Sequence, residues 1–176
     1  MPGPVFLEGE EAELRTIEEG DIEFLRDSVN LPVIRRNILS VRKPENRASS
    51  EDFFENVVCS DNTVHFLICK DGERAGIISV EDKGTVEKLG QLGLWIHPDY
   101  HNQGLGTEST KLMIEHAFEQ LDYHKLYARV HENNEASQAL WEKLEFEKEG
   151  RLKEHCYTNG EYIDVIMYGM LRRDWR

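Results

Sequence analysis

The stretch His101-Asn102-Gln103-Gly104-Leu105-Gly106-Thr107 sits between an apolar run ending in "LWIHP" and the start of a helix-like pattern. The first N–H groups of a helix have no intrahelical acceptors. They carry partial positive charge, so an anion placed there collects several backbone hydrogen bonds. Gly104 and Gly106 remove the side chains that would block such an approach. The spacing therefore predicts a phosphate cradle built from main chain, to which Lys111 and Lys143 could add positive charge. A Gly-x-Gly turn also occurs in plain strand-to-helix connections. The dinucleotide fingerprint is absent, because Ser109 stands where a third glycine would be. No Gly-Lys-Ser/Thr follows, so it is not a Walker loop.

The elements that must position this turn can be read from periodicity and punctuation. "AELRTI" (12–17) alternates as a strand. "DIEFLRDSVN" reads as a helix with Ile22, Leu25 and Val29 on one face. "SSEDFFENVV" (49–58) reads as a second helix, with Ser49 and Asp52 at capping-box spacing. "VHFLICK" (64–70) and "RAGIISVED" (74–82) flank Asp71-Gly72, a hairpin pair. A strand over 88–98 leads into the glycine turn. The helix from Gly104 to Leu121 carries Leu105, Leu112, Met113, Ala117 and Leu121 as its stripe. "KLYARVH" (125–131) is a strand. "NEASQALWEKLEF" (134–146) is a helix with Ala136, Ala139, Leu140 and Leu144 on its apolar face. The last two strands turn at Asn159-Gly160. The expected fold class is α/β (α+β), one domain over 1–176, with a mixed sheet and helices on its faces.

Composition bounds the partners. The chain has 176 residues and a formal net charge of −13, from 34 acidic and 21 basic side chains. Such a surface repels nucleic acid and anionic membranes, and attracts amines and cationic peptide ends. The acids are spread along the chain, which also fits a simple solubilising role. Cys59, Cys69 and Cys156 are far apart and read as thiols of a reducing compartment. "MPGPVFLEGEEAEL" has neither the basic nor the apolar region of a signal peptide. No apolar run reaches membrane-spanning length. The expectation is a cytoplasmic protein. The histidines show no ligand spacing, and no metal is expected.

"LGLWIHPDYHNQGLGTES" followed by "ARVHENNEASQALWEKLEFEKEGRLKEHCYTNGEYIDVIMYGMLRRDW" resembles the GNAT N-acetyltransferases, and among them the Rim-type branch that includes ribosomal-protein N-terminal acetyltransferases. The resemblance implies a mostly antiparallel seven-stranded sheet, splayed in the middle. It implies that His101 to Thr107 hold the pyrophosphate of acetyl-CoA, with His101 at a Gln/Arg position. It implies that Leu94, Trp95 and Ile96 pair their main chain with the pantetheine arm. The second family motif, Asn-x-x-Ser-x-x-Leu-Tyr-x-x-x-Gly-Phe, is matched by Asn134, Ser137, Leu140 and Phe146. Asn134 is then a pantetheine ligand, although Asn is also a favoured helix cap.

Two positions depart from that motif. Trp141 replaces the tyrosine that protonates the leaving thiolate in many relatives, and an indole N–H is not acidic enough to do so. Glu145 replaces the glycine after the helix. Ser137, directly or through water, is the remaining candidate for the leaving group. Glu81 and Glu154 are the candidate bases. Gln91 stands where relatives often carry a Glu. Gln91, Tyr157 and Tyr162 are candidates for the acceptor pocket, and Trp141 and Lys143 for the cofactor side. The implied reaction is direct transfer from acetyl-CoA to a primary amine, either a protein or peptide α-amine or a small amine such as a polyamine. A homodimer through the C-terminal strands follows by analogy with the family. A second reading is an acyl-CoA-binding sensor or partner without activity, favoured by Trp141 and Gln91 and opposed by the intact Asn134-x-x-Ser137 pair.

Overall fold

The computed structural model describes residues 1–38, 43–84 and 86–175. Among the described residues eight strands form one sheet: β1 (Val5–Glu8), β2 (Glu13–Arg15), β3 (Thr63–Lys70), β4 (Glu73–Gly84), β5 (Leu89–Ile96), β6 (Lys125–His131), β7 (Glu147–Thr158) and β8 (Glu161–Leu171). Their spatial order is β1-β2-β3-β4-β5-β6-β8-β7. Only β5 and β6 pair in parallel; every other neighbour is antiparallel. The mixed sheet of the expected fold is present, with one strand more than the seven expected. The additional strand is β1, four residues beside Pro4 that gain their ladder from β2.

The hairpin turns follow from local chemistry. Asp71 and Gly72 have φ of 51° and 79°, and Asn159 and Gly160 have φ of 52° and 89°. Two successive left-handed residues match the right-handed twist of the flanking strands.

Helices cover both faces. On one face lie α1 (Ile22–Val29), α2 (Pro32–Arg35) and α3 (Arg47–Phe53). α1 and α3 pack Phe24, Leu25 and Phe53 on Leu67, Cys69 and Ile77. α3 starts earlier than expected, because Asn46 caps it: its side chain accepts from Ser49 N, and Ser49 Oγ accepts from Asn46 N at 2.9 Å. The capping pair is thus Asn46/Ser49 rather than Ser49/Asp52. The start of α1 is tied to β4 by Asp21, which is fully buried and accepts from Arg74 Nε at 2.7 Å.

On the opposite face lie α4 (Leu105–Glu119) and α5 (Glu135–Lys143). α4 buries Leu105, Met113, Ile114, Ala117 and Phe118, while the expected Leu112 and Leu121 are only partly covered. α5 differs more. Ala136 and Ala139 are exposed, and the helix is anchored instead by Trp141, with Leu144 just beyond its end. Only its C-terminal half packs on the sheet, so the large indole does what two alanines could not. Among the described residues no helix is long and apolar enough to cross a membrane.

Candidate active site

The site begins where β5 and β6 part. Their pairing covers only Leu89–Lys125, Gly90–Leu126 and Gln91–Tyr127. Beyond it β5 stays on β4 as far as Ile96, and β6 stays on β8 as far as His131. The facing edges of 92–96 and 128–131 therefore diverge as a V. Buried main-chain groups require partners, so an open edge of this kind is a docking edge for a polar chain. From Gln91 to Ile96 the edge runs roughly 16 Å at the usual strand rise. Leu94 and Ile96 turn their side chains toward α4. Trp95 faces the other way, with its ring centroid 5.9 Å from that of Phe24. At the apex Tyr127 Oη donates to Gln91 Oε1 at 3.2 Å. Burial raises the Tyr127 phenol above its ordinary range, so it stays a donor.

The glycine turn closes the wide end of the V. His97 N donates to Ala75 O at 2.7 Å, which keeps β5 paired to its end. A Pro98–Tyr100 turn follows, and then Asn102 and Gly104 take left-handed φ of 60° and 82°. Gly104 is the N-cap of α4, and no side chain caps the helix. The first bond back to it comes from Glu108 N, which leaves the N–H groups of Leu105, Gly106 and Thr107 without intrahelical acceptors. A Cβ on Gly104 would meet nothing within 4 Å, and one on Gly106 would meet Ile96 Cγ1 at 3.8 Å and Leu94 Cδ1 at 3.9 Å. The concavity is open and lined with donors, which fits a pyrophosphate.

Side chains brace the turn from behind. His101 Nε2 lies 2.9 Å from Ile96 O. Gln103 Nε2 donates to Asp99 O at 3.1 Å, and Gln103 Oε1 accepts from Lys70 Nζ at 3.2 Å. Lys70 is thus a cation beside the turn, and it also pairs with Glu11 at 3.1 Å. Lys111 and Lys143 are both exposed. The Lys70 contact spans 33 residues, and no local signal announces it.

α5, which follows β6 directly, carries the second motif. Asn134 caps it, with Oδ1 accepting from Ser137 N at 3.2 Å. The cap uses the oxygen of the carboxamide, and its NH2 end remains a donor. Trp141 is 2% exposed and packs edge-on to Phe146, with centroids 5.0 Å apart. Its Nε1 donates to Ser137 Oγ at 3.1 Å.

The two carboxylate candidates lie apart in the sheet. Glu81 sits beside Gln91 in the ladder and pairs with Lys83 Nζ at 2.5 Å. Burial of the imidazole pushes half-buried His65 down to about 4, and the Glu81 charge opposes that shift. Glu154 is exposed on the edge strand β7, with φ of 47° inside a ladder irregularity. Its N–H donates to Asp164 Oδ1 at 2.7 Å. That bond, with Arg151 beside it, holds Asp164 below the usual carboxylate range. Tyr157 and Tyr162 flank the Asn159-Gly160 turn, 54% and 66% exposed, with ring centroids 5.0 Å apart.

A cleft of about 530 Å³ brings four chain segments together: Leu31, Pro32, Val33, Arg36 and Asn37 around α2, then Pro98, Asn133 and Asn159. None of these eight is a site candidate in the sequence, where Asn159 reads only as a turn residue. Among the described residues no group of three or more His, Cys, Asp or Glu is arranged to hold a metal ion.

Known proteins share this architecture. Residues 12–147 match the acetyltransferase (GNAT) domain family. The spermidine N(1)-acetyltransferase of Escherichia coli (strain K12) is 27% identical over 153 residues, covering 87% of this chain and 82% of the relative. Two solved structures superpose with a TM-score of 0.87 at 21% identity. One is the ribosomal L7/L12 α-N-protein acetyltransferase RimL in complex with coenzyme A, aligned over 96% of this chain and 98% of that one. The other is spermidine N-acetyltransferase from Vibrio cholerae in complex with coenzyme A and spermine, aligned over 94% and 98%. At that identity the structures speak for the fold, and the domain match speaks for the family. The split strands, the open glycine turn and the domain match converge: the chain belongs to the GNAT acetyltransferase family and is an acetyl-CoA-dependent N-acetyltransferase.

Proposed function

We propose that this enzyme acetylates the α-amine of a protein or peptide N-terminus. The observation that carries the choice of acceptor is the lining of the 530 Å³ cleft: one guanidinium, three carboxamides and no carboxylate among its described residues. A polyamine is a multiple cation and would require carboxylates along its path. A peptide presents main-chain donors and acceptors, which Asn37, Asn133 and Asn159 can meet on both sides. The acidic surface draws the protonated amine toward the molecule in either case.

In this reading His101, Asn102, Gln103, Gly104, Leu105, Gly106 and Thr107 hold the pyrophosphate through main chain. Leu94, Trp95 and Ile96 pair along the pantetheine, and the carboxamide NH2 of Asn134 donates to it. Lys143, exposed at the end of α5, adds positive charge for the cofactor. Acetyl-CoA supplies an activated acetyl thioester. A main-chain N–H on the open edge of β5 polarises its carbonyl. Glu81 sits on the acceptor face in the apex row with Gln91, and it receives the amine's proton through water. Glu154, exposed on β7, is the alternative acceptor of that proton. Ser137 hydrogen-bonds the leaving sulfur. Tyr157 and Tyr162 flank the incoming chain. The exposed edge strand β7 is the surface through which a dimer would form.

The test is a competition. Equal concentrations of N-terminal peptides with free α-amines and of spermidine are incubated with enzyme and acetyl-CoA, and products are read by mass spectrometry. The expected outcome is α-acetylated peptide in excess. Acetylspermidine as the dominant product would contradict this reading and favour the polyamine activity named for the Escherichia coli relative.

A further inference from the structure

We infer that Trp141 is a positioning residue: its indole N–H fixes the Ser137 hydroxyl so that the hydroxyl's own proton faces the leaving sulfur. The inference rests on the reading of Ser137 given above. A serine hydroxyl has one proton to give and two lone pairs. Inside a helix it usually gives that proton to the preceding turn. Ser109 and Thr110 do so, donating to Leu105 O and Gly106 O at 2.6 Å each. Ser137 behaves differently. It lies in the first turn of α5, and the Asn134 carbonyl one turn back accepts from Gln138 N at 3.1 Å. The side-chain partner of Ser137 is Trp141 Nε1, at 3.1 Å.

The direction of that bond is unambiguous. An indole N–H can only donate, so Ser137 Oγ accepts and its proton is left to point elsewhere. A tyrosine in this place could donate or accept, and would not set the rotor. The donor is also immobile. Trp141 is 2% exposed, packed against Phe146 within the main core, and one helical turn from Ser137 on the same face. The residue that replaces the expected tyrosine therefore acts through serine.

The chemistry asks little of Ser137. As the new N–C bond forms, the C–S bond breaks with its electron pair on sulfur, and the amine's proton passes to the base. A thiol of ordinary acidity, about 8.5, can leave as its thiolate. A hydrogen bond from Ser137 to that sulfur stabilises the charge without serine ionising.

The test uses binding as well as turnover. Affinities for coenzyme A and for desulfo-coenzyme A are measured by calorimetry at pH 7 and pH 9, in wild type, Ser137→Ala, Trp141→Phe and the double variant. Wild type should gain a preference for the thiolate of about tenfold at the higher pH. Each single variant should lose most of it, and the double variant should lose no more. A Trp141→Phe variant that keeps the wild-type preference while Ser137→Ala loses it would overturn the inference and leave the site reading standing. Wild type that binds neither ligand would overturn the site reading, and this inference with it. A second measurement is independent of how Trp141→Phe folds. In Ser137→Ala, the Trp141 indole N–H resonance should shift and exchange faster. An unchanged resonance would contradict the bond.

Discussion

His101 Nε2 lies 2.9 Å from the carbonyl oxygen of Ile96, so the glycine turn is clamped to the end of the strand that leads into it. The residue stands where the family carries Gln or Arg, and all three side chains can donate to a carbonyl. His101 therefore keeps a donor at this position. His101→Ala should raise the KM for acetyl-CoA roughly fivefold, the worth of one hydrogen bond, with kcat little changed. His101→Gln should stay within about twofold of wild type. Steady-state kinetics on the three proteins checks both.

The two cradle glycines should separate. Gly104 has φ of 82°, so any side chain there strains the backbone by about 1–2 kcal/mol. Gly106 carries no such strain, and a Cβ there makes only ordinary contacts. Gly106→Trp should therefore abolish coenzyme A binding with little loss of Tm, whereas Gly104→Trp should lower both. Calorimetry and thermal melts make the comparison. Unchanged affinity in Gly106→Trp would refute the phosphate assignment.

Glu145, at the family's glycine position, takes φ of 64° just beyond the end of α5. A left-handed residue at that point is where helices prefer glycine. Glu145→Gly should stabilise the protein by about 1 kcal/mol, the αL penalty being partly offset by glycine's unfolded-state entropy. Equilibrium urea unfolding reads the change. An equal loss of stability would mean the Glu145 side chain contributes a contact of its own.

His65 makes stability depend on acid. Burial lowers its folded pKa from 6.5 to about 4, and Nδ1 is buried without a hydrogen-bond partner. Between those values the unfolded chain binds more protons, so stability rises with pH and is lost as pH falls from 6.5 toward 4. The full effect is on the order of 3 kcal/mol. His65→Leu should flatten the unfolding free energy over that window relative to wild type. Parallel slopes would contradict the assignment.

Local chemistry is what the sequence displays. The Asp71-Gly72 and Asn159-Gly160 turns and the strand-to-helix glycine turn are each written in adjacent residues, and each has the left-handed φ that its residues suggest. The element order followed from them. Strand β1 was invisible because four residues next to a proline gain a ladder only from a neighbour. Periodicity misplaces the apolar face of α5, because it weighs Ala136 and Ala139 like any apolar residue. Tertiary packing instead selected Trp141 and left both alanines in solvent. The cleft was unreadable for a different reason: Arg36, Pro98, Asn133 and Asn159 meet only after the sheet has formed. The bond from Trp141 to Ser137 has the i,i+4 spacing that could have suggested it, but the identity of the donor pointed away from catalysis.

The central claim is transfer of acetyl from acetyl-CoA to a peptide α-amine through the V between β5 and β6. It is tested most directly by following free thiol as wild type is mixed with acetyl-CoA and an N-terminal peptide. Thiol release should be matched mole for mole by peptide acetylated at its α-amine. Tight acetyl-CoA binding with no thiol released on any peptide or small amine would contradict it.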